Sequence, residues 1–344
     1  MDEEKYQKMI DTAQLSSFEF NVVNHGTIPE ELNFETKVNV NMTLDKEHYH
    51  FEKVKFKTAG HYGRTFAKLG FNLKLKNETF YGIKNFRLRP DYYDLSHFRS
   101  KLVTDLMNKW EIPTIQETFC KLYINDNFYG FYLFMDSIKS YWIKQHYNIP
   151  EDEEVKTLYN CGNTNGNFSP ETVKDCKNEN DDFLGYNQPI IDVVNKIYNT
   201  TSVRKLEKYF DVDNFRKVMI VEYLISSFDH FLIGGHNYQL YQQPNGKWQI
   251  FLHDFDIIFL SQIEKMIKEK LPLNIPEHDT IDEYAAVKFD EWFVQGNRKP
   301  FVDAIYFNDK KKFRKVLKEM LITGFNPDEL FPRIDELAKF VAPY

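Results

Sequence analysis

Between Asp229 and Asp256 the chain carries three acids and an amide around one short hairpin: D-H-F-L-I-G-G-H-N-Y-Q-L-Y-Q-Q-P-N-G-K-W-Q-I-F-L-H-D-F-D. From His236 to Gln242 the pattern alternates as a strand does, with Asn237, Gln239 and Tyr241 on one face. Pro244-Asn245-Gly246 signals a turn, and Trp248, Ile250 and Leu252 then alternate with Lys247, Gln249 and Phe251. A hairpin of this size returns the chain to its starting point, so Asp229, Asn237 and Asp254 are expected to converge. The residue types suit a hard cation. Mg²⁺ prefers one or two carboxylates, carbonyl-type oxygens and phosphate. Asn237 offers an amide oxygen and Asp254 a carboxylate, which leaves Asp229 to aim a hydroxyl or accept its proton. Turn-forming and capping roles are the other use of Asp and Asn at such places.

The elements around this stretch fall into two kinds. Residues 1–15 suggest a short helix. From 17 to 77, segments such as T-K-V-N-V-N-M-T-L, F-E-K-V-K-F-K and F-N-L-K-L-K alternate apolar and polar residues, as does F-E-F-N-V-V near the start. K-N-F-R-L-R gives another strand, and a hairpin is expected around Asn125-Asp126-Asn127. Asp94 is placed to cap a helix with apolar positions from Leu95 to Trp110, ended by Pro113. Residues 150–186 read as an irregular polar insertion. Helices are expected at 189–198, 203–210, 213–228, 262–271, 281–292, 309–323 and 327–340. The expected class is α+β, with a β-rich N-terminal lobe over 1–139 and a mainly helical C-terminal lobe over 140–344 that carries the acidic hairpin.

Composition narrows the function classes. A chain of 344 residues with 42% hydrophobic content can bury a sizeable core in two lobes. A formal net charge of -7 argues against a nucleic-acid partner. No apolar run is long enough to span a membrane. Cys120 reads as a buried thiol, and the spacing of Cys161 and Cys176 is compatible with a disulfide. Four N-x-S/T sequons, at Asn41, Asn77, Asn167 and Asn199, are what chance gives in a chain so rich in Asn.

Upstream, K-T-A-G-H-Y-G-R-T-F-A-K-L-G-F-N-L-K-L sets Gly60, Gly63, Arg64 and Lys68 between two strands. Glycines at such a turn let backbone N–H groups approach phosphate, which Arg64 and Lys68 would neutralise. Taken alone the segment is an ordinary hairpin turn. There is no G-x-G-x-x-G loop and no Walker A motif.

The order of acid, amide, hairpin and acid is that of a protein kinase. Together four blocks resemble the CotH kinase family of atypical protein kinases over about residues 50–260: G-R-T-F-A-K-L-G-F-N-L-K-L; Y-G-I-K-N-F-R-L-R-P-D-Y-Y-D-L-S-H-F-R-S-K-L; L-Y-I-N-D-N-F-Y-G-F-Y-L-F-M-D; and the Asp229–Asp256 stretch. The resemblance implies a bilobal protein-kinase-like fold and metal-dependent transfer of the γ-phosphate of ATP, with Mg²⁺ or Mn²⁺, to Ser/Thr hydroxyls of a protein. It implies Asp229 as catalytic residue, Asn237 and Asp254 as metal ligands with Asp256 beside them, and Trp248 stacked on adenine. Lys68, Arg64 and Arg99 would approach phosphate. A secreted or cell-surface location, in a larger extracellular assembly, is a further expectation. So is the alternative of a weak or inactive surface-binding or adhesion module. A carbohydrate enzyme with paired carboxylates is a poorer fit, because the acids stand in kinase order beside an Asn.

The chain departs from the family pattern in places. Ile257 and Ile258 follow D-F-D where the family has Gly, often then Thr. β-Branched residues resist positive φ, so the loop must turn differently. Asp136 ends the third block where Glu is usual, which shortens any reach to Lys68.

Overall fold

The computed structural model describes residues 1–16, 19, 28–60, 62–162, 169–261, 263, 265, 268, 277–292 and 302–344. The expected strand near residue 20, most of the helix expected at 262–271, His61 and the sequon at Asn167 lie outside them. The chain divides into two compact units: Met1–Leu95 with Ile115–Asp152 and Tyr344, and Ser96–Thr114 with Glu153–Pro343.

The first unit is built on six antiparallel strands, β1 (Glu35–Leu44), β2 (Glu47–Ala59), β3 (Gly70–Lys74), β4 (Asn85–Arg89), β5 (Glu117–Ile124) and β6 (Asn127–Asp136), in the order β1-β2-β3-β4-β6-β5. The alternation seen in the sequence appears as alternating burial, with Phe56, Phe71, Leu73, Phe86 and Leu88 turned to the core. Asn125 and Asp126 both take left-handed backbone at the β5–β6 turn (φ 49° and 63°), which Asn and Asp tolerate better than most residues. Helix α1 (Glu3–Thr12) is capped by the Asp2 carboxylate, which accepts from the Lys5 N–H at 2.8 Å. Helix α3 (Ser140–Tyr147) also belongs to this unit.

In the second unit a smaller sheet runs β10-β9-β7-β8, with β7 Leu158–Asn160, β8 Lys177–Asn178, β9 Tyr238–Gln242 and β10 Trp248–Leu252. Its helices include α2 (Arg99–Lys109), α4 (Gln188–Ile197), α5 (Val203–Leu206), α6 (Val212–Leu224), α7 (Ile281–Ala286), α8 (Lys310–Thr323) and α9 (Pro327–Val341). The Asp211 carboxylate caps α6 by accepting from the Asn214 N–H at 3.1 Å. Val218, Met219, Ile220 and Val221 are fully buried. Helix α6 packs on β10, and Phe215, Phe231 and Tyr238 continue that core in edge-to-face contacts with centroids 5.5 and 5.1 Å apart.

Several expectations are corrected. The division does not fall at 139/140: α2 goes with the second unit, and 140–152 with the first. Helix α2 starts at Arg99 with Phe98 at its cap position, while Asp94 is fully buried upstream. The polar insertion is not wholly irregular, because β7 and β8 extend the hairpin sheet and Cys161 and Cys176 form a disulfide. Helix α5 is shorter than expected because Phe210 bridges to Trp248 instead. Cys120 is a half-buried free thiol whose pKa burial pushes up to about 12.

Candidate active site

The site forms at the open end of the β9–β10 hairpin. Helix α6 ends at Leu224, and Ser226 reverses the chain with φ 47°. The loop that follows is pinned from below by Glu222, a fully buried carboxylate that accepts from the Leu232 N–H at 2.7 Å. Gly234 is required there. A Cβ at that position would stand 2.8 Å from the Phe228 carbonyl and 3.2 Å from Asp229 Cα. Gly235 follows with φ 69°, and its N–H donates to the His230 carbonyl at 2.7 Å. The loop thereby returns Asn237 to Asp229. The Asn237 amide donates to the Asp229 carbonyl at 3.0 Å and to its carboxylate at 2.8 Å.

Across the hairpin, the His253 N–H donates to the Asn237 carbonyl at 3.1 Å, so Asp254 follows directly on the residue paired with Asn237. Asn237 and Asp254 both hold left-handed backbone, with φ 51° and 75°. Such conformations cluster where a side chain must be aimed against local preference. Ile257 and Ile258 do not supply the turn after D-F-D; Phe259 and Leu260 do, at φ 51° and 58°. The Phe259 N–H ties this turn to the Ile225 carbonyl at 2.6 Å. Asp256 is almost wholly buried two residues beyond Asp254.

A fully buried imidazole, passed over in the sequence, lies between these two loops. His230 Nε2 is 3.0 Å from the His253 carbonyl, and Nδ1 is bonded to the Ser227 hydroxyl. A carbonyl only accepts, so Nε2 carries the proton and Nδ1 accepts from Ser227. Burial pushes the His230 pKa down to about 4; the His253 ring lowers it further and the Asp254 charge raises it. His236 is similarly used, with Nδ1 donating to the Gly162 carbonyl beside the Cys161 disulfide. No spacing rule marks such histidines. Only the fold shows what their nitrogens meet.

On the face of the sheet that carries Asn237, Gln239 and Asn160 both donate to Glu179, at 2.7 and 3.1 Å. Trp248 belongs to the other face, in register with Gln242 and in ring contact with Tyr159 at 5.9 Å. At 2% exposure its indole is a core group, which corrects its assignment as an open stacking surface for adenine.

Arg64 is corrected as well. It is 2% exposed and spends its guanidinium on the Gly60, Leu32 and Thr58 carbonyls and the Asn33 side chain. These bonds close the turn, and a phosphate would have to displace them. Lys68 donates to the Phe131 carbonyl and lies 4.6 Å over the Tyr132 ring. Burial lowers its pKa, and the charge that most opposes this is that of Asp91, not Asp136. Asp136 instead accepts from the Gln116 N–H at 2.9 Å. Arg99 is half-buried at the first turn of α2.

The donor set suits Mg²⁺ or Mn²⁺ completed by phosphate better than a closed protein cage. Among the described residues no group of three or more His, Cys, Asp or Glu stands ready to hold a metal. The oxygens on offer are those of Asp254, Asn237 and Asp256, and the Asn237 nitrogen is committed to Asp229, so only its Oδ1 could meet a cation. Two cavities, of about 590 and 340 Å³, belong to the first unit and contain none of these residues.

A family model described as CotH kinase protein matches residues 56–344, so the chain belongs to the CotH kinase family. Two curated relatives are the invasins CotH3 and CotH2 of Rhizopus delemar, each 26% identical over 296 residues. The alignments cover 80% of this chain and 47% of each relative, so the chain spans about half their length. Among solved structures, the Helicobacter pylori proinflammatory kinase CtkA is similar over 78% of this chain and 95% of that one, at 12% identity and a TM-score of 0.30. That likeness is too loose to match site residues.

Proposed function

We propose that the chain is a metal-dependent protein kinase that transfers the γ-phosphate of ATP to Ser or Thr hydroxyls of another protein. The observation that carries this reading is the direct bonding of Asn237 to Asp229 at the base of a hairpin whose other strand delivers Asp254. Asp229 would orient the attacking hydroxyl and take its proton. Asn237 Oδ1 and Asp254 would hold Mg²⁺ or Mn²⁺, with Asp256 supporting that loop. A bound metal would neutralise charge on the β- and γ-phosphates. The Cys161–Cys176 disulfide, with both cysteines buried, supports an oxidising compartment, secreted or on a cell surface, as part of this reading. Among the described residues no helix is long and apolar enough to cross a membrane.

The test is phosphate incorporation from γ-labelled ATP with Mn²⁺ or Mg²⁺, into the chain itself and into a generic protein acceptor. Asp229→Asn keeps the acceptor for the Asn237 amide but cannot take a proton, so turnover should fall by about 10² to 10⁴ with ATP binding kept. Full activity in that variant removes Asp229 from the mechanism. The names of the two relatives support a second reading, a surface-binding module. A parent protein that binds ATP and transfers nothing would favour it.

A further inference from the structure

His230 touches the chain on both sides of Asp254. Its Nε2–H donates to the carbonyl of His253, the preceding residue, and its ring stacks on Phe255, the following one, with centroids 5.0 Å apart and planes at 28°. On its own side His230 adjoins Asp229 in sequence, and the loop around it is fixed by Glu222 to Leu232 and by Gly235 to the His230 carbonyl. Its Nδ1 is fixed by Ser227. A neutral imidazole is the one common side chain that is rigid, donates at one edge and accepts at the other. The ring is fully buried between the two loops.

We propose that His230 is a positioning residue that locks the Asp254 loop against the Asp229 loop, fixing the distance from the carboxylate that binds metal to the one that aims the acceptor hydroxyl. The assignment rests on the kinase reading above. It differs from a packing role in its consequence. Loss of the two hydrogen bonds lets Asp254 drift from Asp229 while the ring's place can still be filled. Groups that orient metal ligands from behind typically change metal affinity or activity by about 10- to 100-fold.

The experiment uses the full chain with His230→Phe, which keeps an aromatic on Phe255 but makes neither bond, and His230→Gln, which offers both a donor and an acceptor. Two readouts are taken: the Mn²⁺ dependence of transfer from γ-labelled ATP, and the thermal shift produced by ATP with increasing Mn²⁺. His230→Phe should need at least about tenfold more Mn²⁺ in both readouts, and His230→Gln should recover most of the loss. Parent-like Mn²⁺ dependence in His230→Phe overturns the proposal, as does a folded His230→Gln no better than His230→Phe. Should His230→Phe fail to fold, Ser227→Ala removes one bond with the ring in place, and an unchanged Mn²⁺ requirement there overturns it equally. A parent that shows the thermal shift without transfer sinks the kinase reading alone, and the shift then still judges His230. A parent with no shift overturns both.

Discussion

Asn237 gives both hydrogens of one amide group to Asp229, at 3.0 Å to its carbonyl and 2.8 Å to its carboxylate. Residues eight apart in sequence are thereby joined across a glycine loop, and the orientation of the Asn237 oxygen is decided. Any metal bound through that oxygen would be coupled to Asp229, the residue proposed to face the acceptor.

ATP with Mn²⁺ should therefore stabilise the protein. A ligand confined to the native state contributes about 2.7 kcal/mol at a hundredfold excess over its Kd. Asp254→Ala should remove most of the thermal shift, measured against the variant's own unliganded melting temperature, which Ala at this left-handed position lowers. An equal shift in the variant would place the metal elsewhere.

Trp248 separates core from ligand site. Trp248→Ala should cost about 3–5 kcal/mol in urea unfolding, as for other large buried aromatics. Trp248→Phe should fold and bind ATP as the parent does. A folded Trp248→Phe with weakened ATP binding would restore adenine stacking.

Asp136 should leave a mark on pH dependence. Burial raises its pKa from 3.8 to about 7, with Glu117 adding to the rise and the Gln116 N–H and the nearby Trp142 indole acting against it. The folded state then holds a proton that the unfolded state releases near pH 4. The stability from this group is complete below about pH 4 and is lost as pH rises through about 7. Asp136→Asn should flatten that part of the stability profile. Identical slopes for parent and variant would mean that Asp136 ionises normally.

The Cys161–Cys176 bridge, at a sequence separation of 15, should be worth about 3 kcal/mol through the unfolded state. Chemical denaturation of the parent against Cys161→Ser with Cys176→Ser measures it. The Cys161 N–H bonds the Tyr238 carbonyl, next to Asn237, so ATP binding should weaken together with stability. Unaltered stability in the double variant would contradict both.

The strands of the first unit were legible because alternation at period two survives burial of a single face, whereas the β9–β10 hairpin, buried on both faces, was legible from its Pro244-Asn245-Gly246 turn between two short apolar runs. The convergence of Asp229 with Asn237 was legible because a glycine loop and a hairpin leave the chain few other paths. Trp248 was misread for a definite reason. Its spacing to Asp254 is visible, but which face of β10 joins Asn237 depends on cross-strand register, and a shift of one residue exchanges the faces. Arg64 was misread because its acceptor at Leu32 is remote in sequence. Asp94 looked like a cap because Asp commonly caps, yet its surroundings buried it. His230 carried no periodic signal at all.

Helix α2 interrupts the first unit, since the chain leaves after β4, contributes Ser96–Thr114 to the second unit, and comes back for β5 and β6. Strand β6 is then laid beside β4, so the six-stranded sheet closes only after that detour is complete. On a ribosome, β1 to β4 must wait with one edge open for a partner still to be synthesised, while α2 waits longer for helices encoded far downstream. Long-range closure of this kind slows folding and exposes strand edges meanwhile. Neither unit can be cut out as one contiguous fragment, and expression of residues 1–139 alone would leave α2 with its apolar face uncovered.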